Sequence, residues 1–385
     1  MISAIPPVPD SEFAERITKV QAHMAGAAID LLLAFSTESE PFYSRYLADY
    51  WPNFETAGVL IPSSGDPALL IGPESGTYAG LKSRIRRIIR MPDFRESSQP
   101  QYPGVTLPSW GDIFTEFKSD TFGIAGWDLL PHFIYCNIEK EFKGAIVNAD
   151  DIVRSIMMIK SPLELDLLRE SARLSELSMS AVLDKIKPGM TETQVVGIAV
   201  AAMTEAGAES PGYSLWCTSG KNTTAAIGRP SLKKIERGEM VHLQLGAKYN
   251  GYSTAIARPL VFGTPGPSMK KFMQLGCDAE NMTNDLMRAG VRASDVARKV
   301  HGFITERGYG DTILYGPAHG CGHMECEFPF VETSSSWLLE KNMTFQSDMF
   351  LATNKYGFRF EDAVIVRENQ PAEELSSLRR EVIVL

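Results

Sequence analysis

Val241 to Leu260 reads VHLQLGAKYNGYSTAIARPL, and the Asn250-Gly251 pair at its centre decides how the surrounding chain folds. Asn-Gly between alternating apolar residues signals a two-residue type I′ hairpin, because both turn positions need positive φ. Pairing outward from that turn sets Gln244 opposite Ala257, with Ala255 a diagonal neighbour on the same face. A second hairpin runs from Thr344 to Val366 and turns near Asn354-Lys355. In simple register Asp348 falls directly opposite Glu361. Two opposed carboxylates repel, so a metal ion, a cationic side chain or a shared proton must neutralise them unless both face solvent. Both strands are otherwise apolar, which points to a buried pair, and a buried carboxylate pair is a functional-site candidate.

Between the hairpins, Tyr315 to Pro329 reads YGPAHGCGHMECEFP. Glycines flanking His319 imply tight backbone around an approached side chain. Two histidines, three glycines and several acidic or thiol residues within so few positions mark a site rather than an ordinary surface loop.

Upstream, short apolar strands are expected at Asp30–Phe35, Ala57–Pro62, Pro67–Gly72 and Thr121–Trp127, after an amphipathic helix over Phe13–Ala28. This first segment reads as an α/β domain over residues 1–155. Ser161-Pro162-Leu163-Glu164 is a capping box with Pro at the first helical position, opening a long helix that stops before Pro188-Gly189. A second box, Thr191 to Gln194, opens a helix ending at Ala206-Gly207. Strands follow, interrupted by helices near 267–289 and 293–307, in an α+β domain over residues 156–385.

The 385 residues carry a net charge of −9 and are 44% apolar, enough for a core in each domain. That acidic balance argues against a nucleic-acid partner; the basic run Lys82 to Arg90 (KSRIRRIIR) reads as a solvated face. The N-terminus lacks the basic-then-apolar pattern of a signal peptide, and no apolar run approaches the roughly 20 residues of a membrane span. Five cysteines in no disulfide or zinc-finger spacing complete the expectation of a cytoplasmic protein.

Six segments in order carry a family resemblance: Ile159-Lys160-Ser161-Pro162, Pro188 to Glu192, Ser219 to Asn222, the Asn250-Gly251 hairpin, His319-Gly320-Cys321-Gly322, and Arg359 to Val366. Over residues of roughly 155–385 the chain resembles the pita-bread fold of methionine aminopeptidases, aminopeptidase P and creatinase. The first domain is similar to that of creatinase and prolidase-type members, which implies a homodimer. In such dimers the partner's N-terminal domain helps close the pocket. Tyr43, Arg45, Tyr46, Tyr50 and Trp51 would then line that roof, or else form their own domain's core.

The family's metallopeptidases hold two divalent ions with five side chains, and those positions fall on Gln244, Ala255, His319, Asp348 and Glu361. Ala255 offers no oxygen and Gln244 is a poor ligand for a hard or borderline dication, so a two-metal cluster is not expected. Creatinase, the metal-free branch, shares a neutral amide at Gln244 and the Thr254-Ala255 pair. Its guanidinium-binding glutamate is Ala257 here, the usual catalytic histidine falls near Ile227, and the second histidine of the HGxG motif is Cys326. The resemblance therefore implies a metal-independent hydrolase of a C–N bond in a small polar, non-peptide molecule. His319, His323, Asp348 and Glu361 would be catalytic, His323 replacing the lost acid/base group. Tyr213, Trp216, Arg229, Gln244, Tyr252 and Glu327 would border the substrate. Arg258 or Arg359 would balance the carboxylate pair, and Cys326 is either a nucleophile or a filler. The alternatives are a mononuclear metal-dependent hydrolase or lyase, with one divalent ion at His319, Asp348 and Glu361, and a non-catalytic binding protein.

Overall fold

Leu31–Ser36, Ala57–Pro62 and Ala68–Ile71 are apolar on both faces, as strands must be when helices cover a sheet on two sides. In the computed structural model, which describes residues 5–385, they are β1, β2 and β3. Ile88–Arg90 (β4), Thr121–Ala125 (β5) and Ala145–Asn148 (β6) complete a six-stranded sheet in the order β4-β3-β2-β1-β5-β6. Alternation along β1 divides its side chains between two cores. Leu32 and Ala34 join Ile17, Val20 and Met24 of helix α1 (Asp10–Gly26), while Leu31, Leu33 and Phe35 join Trp110, Ile134 and Ile138 on the other face. Tyr43, Tyr46 and Tyr50 are buried in the first of these cores, which removes them from any pocket roof. Within the Lys82–Arg90 run, Arg84 lies 3.1 Å from both Asp10 and Asp49, and Arg87 pairs with Glu116, so the run is an ion-paired face.

The chain forms two compact units, Pro7–Met157 and Met158–Leu385. In the second, both capping boxes form. Ser161 and Glu164 exchange hydrogen bonds at the start of Pro162–Lys185, and Thr191 and Gln194 do so at the start of Glu192–Glu205. Each cap satisfies orphan backbone donors and contributes about 1 kcal/mol. Asn250 and Gly251 both take positive φ, and Lys248 pairs with Ser253 across them as the turn chemistry requires. Gly246 lets the hairpin bend, since a Cβ there would stand 2.4 Å from the Thr254 carbonyl oxygen.

The main sheet of this unit has nine strands. Its central path runs Glu327–Val331, Ala318–Gly320, Thr344–Ala352, Gly357–Ile365, Ile256–Val261, Met240–Leu245 and Trp216–Ser219. Leu243, Leu245, Ile256 and Leu260 pack under the two capped helices with Leu174, Val182, Val195 and Met203. Phe345, Met349, Phe358 and Phe360 pack under Pro267–Leu286 and Ala293–Glu306. Each fully buried leucine or phenylalanine contributes roughly 1.5–3 kcal/mol. With their strand neighbours Leu243, Leu245, Phe358 and Phe360 committed to helices, Gln244, Arg359 and Glu361 must emerge on the opposite face of the sheet.

Arg258 belongs to the helix side. Its guanidinium lies 2.9 Å from Asp362, whose other oxygen is held by Arg380, itself 3.3 Å from the buried Glu280. The expectation that Arg258 balances the Asp348–Glu361 pair is thereby corrected, because strand alternation turns it away. Among the described residues no helix is long and apolar enough to cross a membrane.

Candidate metal centre

Backbone pairing aligns one row of residues across five strands. Trp216 is opposite Gln244, Gln244 opposite Ala257, Ala257 opposite Glu361, and Glu361 opposite Asp348. The next strand brings His319 opposite Gln346, two positions from Asp348. Each of His319, Asp348 and Glu361 can offer one ligand atom such that all three lie within 4.8 Å of one another. Nδ1 of His319 is 3.1 Å from the Gly320 carbonyl oxygen, which can only accept, and this contact turns Nε2 towards the carboxylates. That Nε2 is 3.8 Å from Asp348 Oδ2 and 3.9 Å from Glu325 Oε1.

Arg359 stands inside the group. Its Nε is 2.9 Å from Asp348 Oδ1, and one terminal nitrogen donates to the Tyr315 hydroxyl oxygen at 2.7 Å and to the Ala226 carbonyl at 3.2 Å. The other terminal nitrogen donates to Gln244 Oε1, and Gln244 Nε2 donates to Glu361 Oε2 at 2.7 Å. Tyr315 closes the circuit by donating to Asp348 Oδ2 at 2.8 Å. The Arg359 guanidinium also lies 5.1 Å from the Trp216 ring centre. Burial raises the proton affinity of Glu361 well above the usual carboxylate range, and the neighbouring Glu325 and Asp348 charges add to it against Arg359.

The residues present fit one divalent ion and not two. Ala255 has no donor, and both ends of the Gln244 amide are taken by Arg359 and Glu361. By contrast the His319 imidazole is oriented with Nε2 inward, and Glu361 Oε1 and Glu325 Oε1 are buried with no hydrogen-bond donor. Buried carboxylate oxygens lacking a donor are costly unless a cation meets them.

The structure separates the other predicted site residues. Tyr213 and Trp216 stay with the group. Their rings meet edge to face at 6.3 Å, and the buried Tyr213 hydroxyl has no hydrogen-bond partner. Its acidity is suppressed by burial and then by Glu361 and Glu325. Gln244 is a strut between Arg359 and Glu361. His323 lies against Tyr252, ring centres 4.3 Å apart, and Tyr252 is 1% exposed and donates to Glu164 at 2.8 Å. Glu327 pairs with Lys160 at 3.0 Å, and Arg229 is exposed, donating to Ser214 Oγ at 3.2 Å. His242 is a buried neutral imidazole, its pKa pushed down to about 3 by burial and by Arg359. Cys326 has surface exposure, yet desolvation and the Glu325, Asp348 and Glu361 carboxylates push its thiol up, which disfavours a nucleophilic thiolate.

Two members of the group escape a reading of sequence alone. Glu325 sits in the HGCGHMEC stretch, where loop geometry and not strand alternation aims it. Tyr315, four residues before His319, carries no periodic signal either.

A histidine and two facing carboxylates gathered on a pita-bread sheet are donors of the kind that hold a divalent ion. The chain belongs to metallopeptidase family M24, whose model matches residues 166–368. It is 27% identical over 290 residues to an Xaa-Pro dipeptidase of Pyrococcus furiosus, covering 74% of this chain and 82% of that one. It is likewise 27% identical over 289 residues to an uncharacterised peptidase of Bacillus subtilis, covering 72% and 82%. Among solved structures, an Xaa-Pro dipeptidase from Bacillus anthracis superposes with a TM-score of 0.83 at 23% identity, covering 97% of this chain and all of the other. Dipeptidase PepE from Mycobacterium ulcerans gives 0.85 at 19% identity, covering 98% and 99%. Those two similarities speak for the fold.

These relationships overturn the expected metal-independent, creatinase-like hydrolase of non-peptide substrates, and with it the expectation of no cofactor. The family is one of metallopeptidases and the relatives are named as dipeptidases. Loss of the carboxylates at positions 244 and 255 argued only against a two-metal cluster, and the likeness to creatinase carried the metal-free reading. The remaining donors, His319, Asp348 and Glu361, come from other strands and still converge.

Proposed function

We propose that this protein is a mononuclear metal-dependent hydrolase that cleaves the amide bond of a small peptide, of the Xaa-Pro dipeptide type. The observation that carries the reading is the convergence of His319, Asp348 and Glu361 within 4.8 Å, deep on the sheet face. The similarity to Xaa-Pro dipeptidases supports the substrate class.

His319 Nε2 and the Asp348 and Glu361 carboxylates would hold the ion, which when bound supplies a Lewis acid and an acidified water. Arg359 and Gln244 fix the two carboxylates in place, so the donor set is arranged before substrate enters. The Tyr213 hydroxyl donates to the substrate carbonyl oxygen as negative charge builds there. Glu361 would take a proton from the water whose oxygen adds to the carbonyl carbon and return it to the departing amine nitrogen as the C–N bond breaks. Trp216 walls the site and excludes solvent from the carboxylates. A homodimer, by analogy with prolidase-type relatives, is part of the same proposal.

The test is a panel of Xaa-Pro and other dipeptides incubated with metal-stripped protein, with and without manganese, zinc or cobalt chloride. Cleavage that returns with metal and is lost in His319→Ala supports the reading. No cleavage of any member under any metal, by protein that binds the ion, would leave a binding protein instead.

A further inference from the structure

We infer that Glu325 is a fourth protein ligand of the metal ion, supplying from the loop after His319 a carboxylate that the Gln244–Ala255 hairpin no longer provides. The inference rests on the mononuclear reading above and assigns one more donor to it.

Glu325 Oε1 is as close to His319 Nε2, at 3.9 Å, as Asp348 Oδ2 is, at 3.8 Å. Two ligands about 2.1 Å from a tetrahedral ion stand about 3.4 Å apart, so each carboxylate has about half an ångström to close. Glu325 also lies close enough to Glu361 for their carboxyl groups to interact. Glu325 Oε1 and Glu361 Oε1 are both buried without a hydrogen-bond donor. Like charges converge in this way only where a cation or a shared proton joins them.

The loop that carries Glu325 is held in place. The pairing register shifts between His319 and Gly320, a bulge that re-aims the chain immediately after the imidazole. A Cβ on Gly320 would come within 2.6 Å of the Phe328 carbonyl oxygen, and one on Gly322 within 2.3 Å of Glu327 Oε1. Backbone packed that closely gives Glu325 a defined position. Two residues on, Glu327 is committed elsewhere, its carboxylate bound to Lys160 at 3.0 Å and to the Met324 amide at 3.3 Å.

Charge balance agrees. Asp348, Glu361 and Glu325 against Arg359 leave two formal negative charges, which one dication cancels and two would overshoot. One imidazole nitrogen and three carboxylate oxygens suit zinc, manganese or cobalt.

The test is calorimetric titration of metal-stripped, full-length protein with zinc or manganese chloride, comparing wild type, Glu325→Gln, Glu361→Gln and the exposed-site control Glu332→Gln. Wild type and the control should bind one ion alike. Glu325→Gln should weaken binding by roughly 100-fold or more, beyond the roughly 10–100-fold typical of outer partners. The visible spectrum of the cobalt-loaded protein should change with it. Equal affinity and an unaltered cobalt spectrum in Glu325→Gln, while Glu361→Gln loses the ion, would overturn the assignment and leave the mononuclear reading intact. A wild type that binds no ion would instead overturn that reading itself. Should Glu325→Gln fail to fold, Glu325→Asp gives the same comparison: weaker binding with a changed cobalt spectrum supports the assignment, and an unchanged pair of values refutes it.

Discussion

Replacing Arg359 with methionine isolates the electrostatic logic of the centre. The side chain is 4% exposed and contributes the guanidinium that faces Asp348 at 2.9 Å and, through Gln244, steadies Glu361. Methionine keeps much of the aliphatic stem and removes the charge. Without metal, the directly opposed Asp348 and Glu361 are then left with no cation between them. Deleting one partner of a buried ion pair costs about 3–5 kcal/mol. For a unit of this size each kcal/mol moves the melting temperature by roughly 2–4 °C, so Arg359→Met should melt about 6–20 °C below wild type in EDTA. A divalent ion neutralises the same carboxylates, so saturating manganese should narrow the gap. Adding Asp348→Asn should recover part of the loss, with a coupling of about 0.5–3 kcal/mol in the double-mutant cycle. Thermal melts in EDTA and in manganese chloride read all three quantities. A variant melting within about 2 °C of wild type in EDTA, or a gap that widens with metal, would refute the reasoning.

Two further outcomes follow from the same geometry. Restoring both hairpin carboxylates with Gln244→Asp and Ala255→Asp should raise the bound metal from about one to about two equivalents by elemental analysis; a stoichiometry that stays at one would show that more than these two donors has been lost. At Cys326, the raised thiol should react with iodoacetamide at pH 8 more slowly than the exposed Cys136, with the modified residues identified by mass spectrometry. Faster labelling at Cys326 would place a thiolate beside the centre and reopen nucleophilic chemistry there.

The buried charges of the C-terminal unit divide by strand parity into two networks with different tasks. On the helix side, Arg258, Asp362, Arg380 and Glu280 neutralise one another within 3.3 Å and tie the sheet to the chain's last residues. On the opposite face, three carboxylates meet the guanidinium of Arg359, so negative charge is left for an ion. Adjacent positions in one strand, Glu361 and Asp362, thus belong to different chemistries because successive side chains leave a strand on opposite faces.

What the sequence determined by itself was local. Asn250-Gly251 forced the hairpin because both residues accept positive φ, and the two capping boxes started their helices where hydroxyl and carboxyl groups three apart could satisfy orphan amides. Period-two alternation from a known turn set Asp348 opposite Glu361 and Gln244 opposite Ala257, since register follows from turn geometry. Tertiary structure decided which neighbours complete the site. Arg359 and Arg258 both lie one strand away from carboxylates, and only the packing of the helices against one face shows that Arg359 reaches the centre. His323 and Glu325 are two residues apart in one glycine-rich loop with no period to follow. The bulge after His319 and the close packing of Gly320 and Gly322 send the histidine ring against Tyr252 and the glutamate towards His319. The sequence showed that two ligands were missing. That enough donors remain to meet one ion is a property of strands brought together from residues far apart in the chain.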